Sequence, residues 1–204
     1  MRFISGQTQT LLDGRAVKIR DFIWFVVRDR STGAEVRQGY WSDVGSVNAQ
    51  VINPQTQLAE TRGFDGAGTL ISVSPIPLVS NLSVQSVTIE LSQVSDADRL
   101  IRLYDVKQGR VEIYRGLFEL GSMVQAQPAF SRFFGFIDEP EIKTPRENEE
   151  GGIILNCVSH SQELNRSNPA TRSDAYQRQR SPSDSFRRHA AVVGSWDIKW
   201  GAAG

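Results

Sequence analysis

The chain is poor in the residues that carry chemistry. Among its 204 residues are one cysteine, Cys157, and two histidines, His160 and His189. One cysteine excludes an internal disulfide and a thiolate cluster that could hold zinc or iron–sulfur within one chain. No G-x-S-x-G nucleophile elbow is present. No apolar run approaches the ~20 residues of a membrane-spanning helix, and the longest candidate, Phe22 to Val27, is strand-sized. Basic and acidic side chains number 23 each, for a formal net charge of zero. That balance gives no global pull toward nucleic acid or an anionic membrane. The opening MRFISGQTQTLLDG lacks the basic, apolar, small-residue order of a signal peptide, so folding in the cytoplasm is expected.

The few reactive groups can be weighed one at a time. Cys157 and His160 are three residues apart, the spacing of half a zinc site or of a nucleophile and its base. No second pair of ligands accompanies them. Cys157 ends an apolar strand pattern, where an inert buried cysteine is the common outcome. The glycine-rich stretch Gly63-Phe-Asp-Gly-Ala-Gly68 has neither a P-loop lysine nor a dinucleotide fingerprint, and it reads as a turn. No catalytic residue, metal ligand or cofactor is therefore assigned. An enzyme would need an unseen geometry among Cys157, His160, His189 and carboxylates.

What is present is strand pattern. Residues 16–27 end in an unbroken apolar run, expected of a strand buried on both faces. Asp29-Arg-Ser-Thr-Gly33 is a turn, with Asp bonding its own backbone and Gly taking positive φ. A partner strand follows through Val36, Tyr40 and Trp41. Val47 to Ile52 and Leu58 to Arg62 read as short strands about Asn53-Pro54. Strands are also expected at 69–73, 84–91, 111–117, 133–142 and 152–158. Ser95 to Tyr104 carries a capping-box-like start and helical spacing, with Gly109 marking the exit. The fold class is mainly β: small barrel or sandwich domains with one or two short helices and an irregular C-terminal strap. Residues 1–15 form an arm, 16–159 a β-rich core of one or two small barrels, and 160–204 a polar strap.

Charge is distributed unevenly. Residues 138–150 carry net −4, with Glu147, Glu149 and Glu150 at the end of the run. Residues 160–189 carry net +3 and include Arg166, Arg172 and Arg178. Opposite charges of this kind allow an acidic loop on one subunit to face a basic strap on the next. A short helix is expected over Ser185 to Val193. Trp196, Ile198 and Trp200 alternate and would share one strand face, suited to docking. These nine charged and apolar residues are the candidate inter-subunit contacts.

Three signatures in order carry a family resemblance: Val111-Glu-Ile-Tyr-Arg-Gly-Leu-Phe118; Phe133-Phe-Gly-Phe-Ile-Asp138; and Gly152-Ile-Ile-Leu-Asn-Cys-Val-Ser-His160. Glu163-Leu-Asn-Arg-Ser-Asn-Pro169, Arg172-Ser-Asp174, Asp184-Ser-Phe186 and Val193-Gly-Ser-Trp-Asp-Ile-Lys-Trp-Gly201 follow. Over about residues 65–201 the chain resembles tail-tip (baseplate) hub proteins of long-tailed bacteriophages and gene-transfer-agent particles. The resemblance implies a structural, non-enzymatic virion protein built from small β-barrels. It implies a ring, commonly a trimer, that joins the distal tail-tube end to tip or fibre-bearing proteins. The tape-measure protein would be a further neighbour, and DNA would pass through the channel without sequence-specific binding or membrane insertion. Some such hubs hold an iron–sulfur cluster through several C-terminal cysteines. With Cys157 alone, this chain is not expected to do so. The alternative from the residues is a β-rich carbohydrate- or peptide-binding module, with Tyr40, Trp41 and Tyr114 as the aromatics to look for in a concave site.

Overall fold

The computed structural model describes residues 6–14, 17–67, 71–77, 83–92, 98–121, 124–144, 151–165, 173–196 and 201. The protein is mainly β. Two units are separable, residues 1–164 and 165–204.

In the first unit, helix α1 spans Gly6–Asp13, within the stretch expected to be an arm. Strand β1 covers Val17–Asp29 and β2 Glu35–Trp41. Their turn forms as expected. Asp29 Oδ1 accepts from the Ser31 and Thr32 amides at 2.8 and 2.9 Å, and Gly33 has φ +70°. The Ser31 hydroxyl bond, helped by those amides, holds the Asp29 carboxyl at about 2. Strands β3 (Val47–Ile52) and β4 (Ala59–Gly66) flank the Asn53-Pro54 turn. Strand β4 runs through Gly63 and Gly66, so the stretch read as a glycine loop is largely ladder. At Gly39 a Cβ would stand 2.6 Å from the Gly63 carbonyl and 2.8 Å from Phe64. Glycine here serves close packing of strands, not a phosphate.

Strand β5 is Ile71–Val73 and β6 is Ser86–Ser92. Helix α2 is Asp98–Leu103, and strand β7 begins at once and spans Tyr104–Glu119. Gly109 is therefore inside a strand rather than at a helix exit. It follows Gln108, whose φ is +62°. Strand β8 spans Gln125–Lys143 and pairs antiparallel with β7 as a long hairpin. Strand β9 is Gly152–Ser159, followed by the one-turn helix α3, Gln162–Asn165.

Strand order is β3-β4-β2-β1-β7-β8-β9-β6-β5, with a further parallel pairing of β3 to β8 at Val51 and Ala129. That bridge returns the ladder on itself through β3, β4, β2, β1, β7 and β8. The side chain of Gln125 reinforces it, accepting from the Gln50 amide at 2.9 Å and donating to the Gln50 carbonyl at 2.7 Å. The β2–β4 contact spans only Tyr40–Trp41 against Asp65–Gly66. The result is a strand ring with narrow parallel seams, less regular than the barrel expected.

Each of the six strands sends side chains into one core: Phe22, Trp41, Ala49, Phe64, Tyr114, Phe118 and Ala129 among them. Phe22 and Trp41 stack at 5.9 Å and 8°. The second core lies on the opposite face of β1 and β7. There Ile23, Phe25, Val27, Val111 and Ile113 meet β6, β9 and α2. Successive residues of β1 thus enter different cores, which is why Phe22 to Val27 is apolar without a break.

The long strand β8 serves both halves. Residues 125–136 pair with β7 and 135–143 with β9, so Gly135 belongs to both ladders. A Cβ on Gly135 would stand 2.0 Å from the Val158 carbonyl and 2.9 Å from the Phe133 ring. Gly135→Ala is expected to lower stability by about 2 kcal/mol or more, because neither backbone nor ring can yield cheaply. Urea unfolding tests this; an unchanged midpoint would mean that β8 and β9 are not in this contact.

In the second unit, helix α4 spans Asp174–Arg180 with Ser173 as its cap. Residues 185–192 are successive turns, and Val193–Ser195 is a 3-10 turn. The helix expected over Ser185 to Val193 is not formed. Bonds of the i+3 kind, such as Arg188 N to the Ser185 carbonyl and Val192 N to the His189 carbonyl, replace it. No described residue of 173–196 is buried.

Candidate functional site

One charged group sits where the sequence pattern calls for an apolar one. Glu112 lies between Val111 and Ile113 on β7 and is 1% exposed. Its side chain points toward the ring core, as Tyr114 does two residues on. Arg62 of β4 answers it, with Nη1 2.5 Å from Glu112 Oε2 and 3.1 Å from the Tyr114 oxygen. The Tyr114 hydroxyl also donates to Glu112, and Arg62 pairs with Glu60 on its own strand. The guanidinium lies 4.8 Å over the Trp24 ring. Burial disfavours the Arg62 charge, but the bond to Glu112 outweighs it and the pKa is raised. Burial, then the bond to Glu112, pushes the Tyr114 phenol far above its usual value.

Arg110 continues this network outward. Its Nε lies 3.1 Å from Glu112 Oε1, and its Nη1 donates to Gln55 Oε1 at 3.3 Å. Beyond it opens a cleft of about 600 Å³. Arg28, Lys107, Gln108, Phe134, Phe136 and His160 are among its lining residues. His160 meets Phe134 edge-on at 4.9 Å and Phe136 at 5.3 Å. Its backbone amide donates to the Phe134 carbonyl at 3.0 Å. The cleft thus lies at the open end of the strand ring, meets the ion network through Arg110 and is walled by three rings.

The residues singled out from sequence fall differently. Cys157 is fully buried in the second core. Its Sγ lies 3.6 Å from the Leu155 carbonyl, whereas His160 packs on Phe134 and Phe136. Burial pushes the thiol from 9.0 up to about 12, which suits neither a nucleophile nor a metal ligand. Among the described residues no cluster of His, Cys, Asp and Glu could hold a metal ion.

Tyr40, Trp41 and Tyr114 are buried at 5%, 1% and 0% exposure, so they cannot line an open binding site. Phe134, Phe136 and His160 take that place. Trp196 is 49% exposed, with its ring 5.2 Å from His189. Arg178 pairs with Asp174 at 2.9 Å. Ile198, Trp200, Arg166, Arg172, Glu147, Glu149 and Glu150 lie outside the described residues. Asp138, Glu139 and Glu141, within the strand expected over 133–142, are residues of strand β8.

The ion network escaped sequence reasoning because Arg62 and Glu112 are 50 positions apart. The signal was the lone Glu between two apolar residues in an otherwise buried strand.

No protein-family model matches the chain, and no curated protein matches it in sequence.

Two expectations follow from the buried groups. Glu112→Gln leaves the Arg62 charge inside the ring without its main counter-ion, at a cost of about 3 kcal/mol in urea unfolding. The paired change Arg62→Met, Glu112→Met should recover most of that loss. A single change within experimental scatter of the parent would refute a buried pair. Cys157 should resist iodoacetamide at pH 8 in the native protein and react fully in urea. Its folded pKa lies above its unfolded one, so the folded state keeps a proton that the unfolded chain gives up. Stability should therefore fall as pH rises from about 9 toward 12, and Cys157→Ala should flatten that slope.

Proposed function

We propose that the protein is a structural hub of a phage-type tail tip, a ring-forming subunit that joins the tube end to the host-contacting tip. The observation that carries this reading is the exposed strap. Phe186 is 85% exposed and Trp196 49%, in a segment whose described residues include none that is buried. Val192 and Val193 are also exposed. Four arginines (178, 180, 187 and 188) accompany them, against Asp174 and Asp184. A short basic segment with unspent apolar surface suits docking onto an acidic, partly apolar partner. In this reading the partner is the neighbouring subunit, and repetition of the contact closes the ring. The family resemblance of the three β-strand signatures supports the same assignment. The β-rich first unit would form the body of the ring, with DNA passing through the channel. The protein would act in the virion, at the tail tip, and not as an enzyme.

Light scattering of the purified protein, alone and with tail-tube end proteins, tests the proposal. A trimer, or a monomer that assembles on the tube end, is expected. The double change Phe186→Ala, Trp196→Ala should weaken that assembly by about 30-fold or more, the loss of about 2 kcal/mol usual for a buried interface aromatic. Its urea midpoint should stay unchanged, because both side chains are exposed in the isolated chain. Assembly unaffected by the double change, or a monomer indifferent to tail components, would overturn the reading.

A further inference from the structure

We propose that the cleft at the open end of the strand ring binds a sugar that carries a carboxylate. The site is independent of the hub reading and rests on the first unit alone. Its volume, about 600 Å³, lies in the range of small-ligand sites and would hold one or two sugar rings.

The floor is preorganised. Arg110 is held by Glu112 from its own strand and by Gln55 from the β3–β4 turn. Its guanidinium therefore stays in place when the cleft is empty, so little side-chain entropy is lost on binding. Backbone conformation spreads the groups beside it. Gln108 has φ +62°, and a Cβ on Gly109 would stand 2.8 Å from the Val106 carbonyl. A non-glycine residue in that region costs energy that a functional geometry commonly accounts for. Here the local twist brings Lys107, Gln108 and Arg110 to the same cleft.

The lining chemistry selects the ligand. The side chains of Arg28 and Lys107 make no hydrogen bond or ion pair with any described residue, and the same holds for the side chains of Asp105 and Gln108. Two uncommitted cations suit a carboxylate. Asp105, Gln108 and Gln55 add planar acceptors and donors at the same cleft. Hydroxyl groups are both donors and acceptors, and satisfy such a mixed set better than a bare anion does. A multiply charged anion would also meet Asp105 and Glu35. Phe134, Phe136 and His160 supply the apolar wall against which the C–H face of a sugar ring can pack.

The test uses the two histidines. The imidazole signals of the full-length protein are followed by nitrogen–proton correlation NMR, with His160→Gln assigning the pair. D-glucuronate should shift the His160 signal to saturation, with a midpoint of about 1 mM, and leave His189 in place. D-glucose should bind about tenfold more weakly. The double change Arg28→Gln, Lys107→Gln should weaken glucuronate at least tenfold with an unchanged urea midpoint, since neither side chain has a partner among the described residues. Failure of glucuronate to move His160, or equal movement of His189, would overturn the proposal. Inorganic phosphate binding as well as glucuronate would show a simple anion site instead. A Glu–Glu dipeptide binding as well would show a peptide groove. Either result would overturn it too.

Discussion

Strand β1 has no exposed residue over its central six positions, and the rest of the first unit follows from that. Its backbone is committed to β2 on one edge and β7 on the other. Its side chains are committed to two cores, Phe22 and Trp24 to one, Ile23, Phe25 and Val27 to the other. Full burial of a large apolar side chain is worth roughly 1.5–3 kcal/mol, and β1 gathers several within one short run. A one-residue slip would exchange the two sets and place Phe22 where Ile23 packs. The wall formed by β1 and β7 therefore fixes register for the ring inside it and for the β6–β9 layer outside it. Direct pairing of Asp21 with Arg115 at 2.8 and 3.0 Å holds the same register from the surface.

The ring interior then poses a problem at its open end. Aromatic residues fill it, but the end cannot be sealed by apolar groups and also face water. Glu112 and Arg62 solve this by carrying charge into the ring while satisfying each other, Tyr114 and Glu60. Such a pair contributes little net stability, because desolvation offsets attraction. What it supplies is a rigid polar floor. Arg110 is anchored to that floor, so the cleft begins with one cation already oriented. The structural and binding aspects of this end are thus one arrangement, and a change at Glu112 would alter both.

Much of the first unit could be read from sequence because its signals are local. Period-two alternation marked β6, the unbroken apolar run marked β1, and Asp29 with Gly33 marked their turn. Where local signals conflict with tertiary demand, the reading failed. Gly63 and Gly66 looked like a loop, yet both lie in strand β4, and it is Gly39 of β2 where a Cβ would strike the Gly63 carbonyl. Gly109 looked like a helix stop, yet it accommodates backbone beside Val27 and Val106. Tyr40, Trp41 and Tyr114 were the aromatics to look for in a concave site, but all three are packed into the two cores. The cleft was not legible at all. Its residues come from 26–35, 55, 105–110, 134–136 and 160, and only the return of β8 beside β7 gathers them.

The strap follows a different logic. Ordering one residue costs roughly 1–2 kcal/mol in backbone entropy alone. Within 173–196 the internal compensation includes a capped seven-residue helix, i+3 turns, the Asp174–Arg178 pair, a Gln177–Asp184 bond at 2.6 Å and the His189–Trp196 contact. None of these buries a side chain. Apolar groups as large as Phe186 and Trp196 are costly to keep in water unless another surface covers them. The proposed hub role would give this segment such a surface. The first unit has its own cores and owes nothing to that interface. Changes to the exposed strap side chains should therefore leave the fold of the first unit intact.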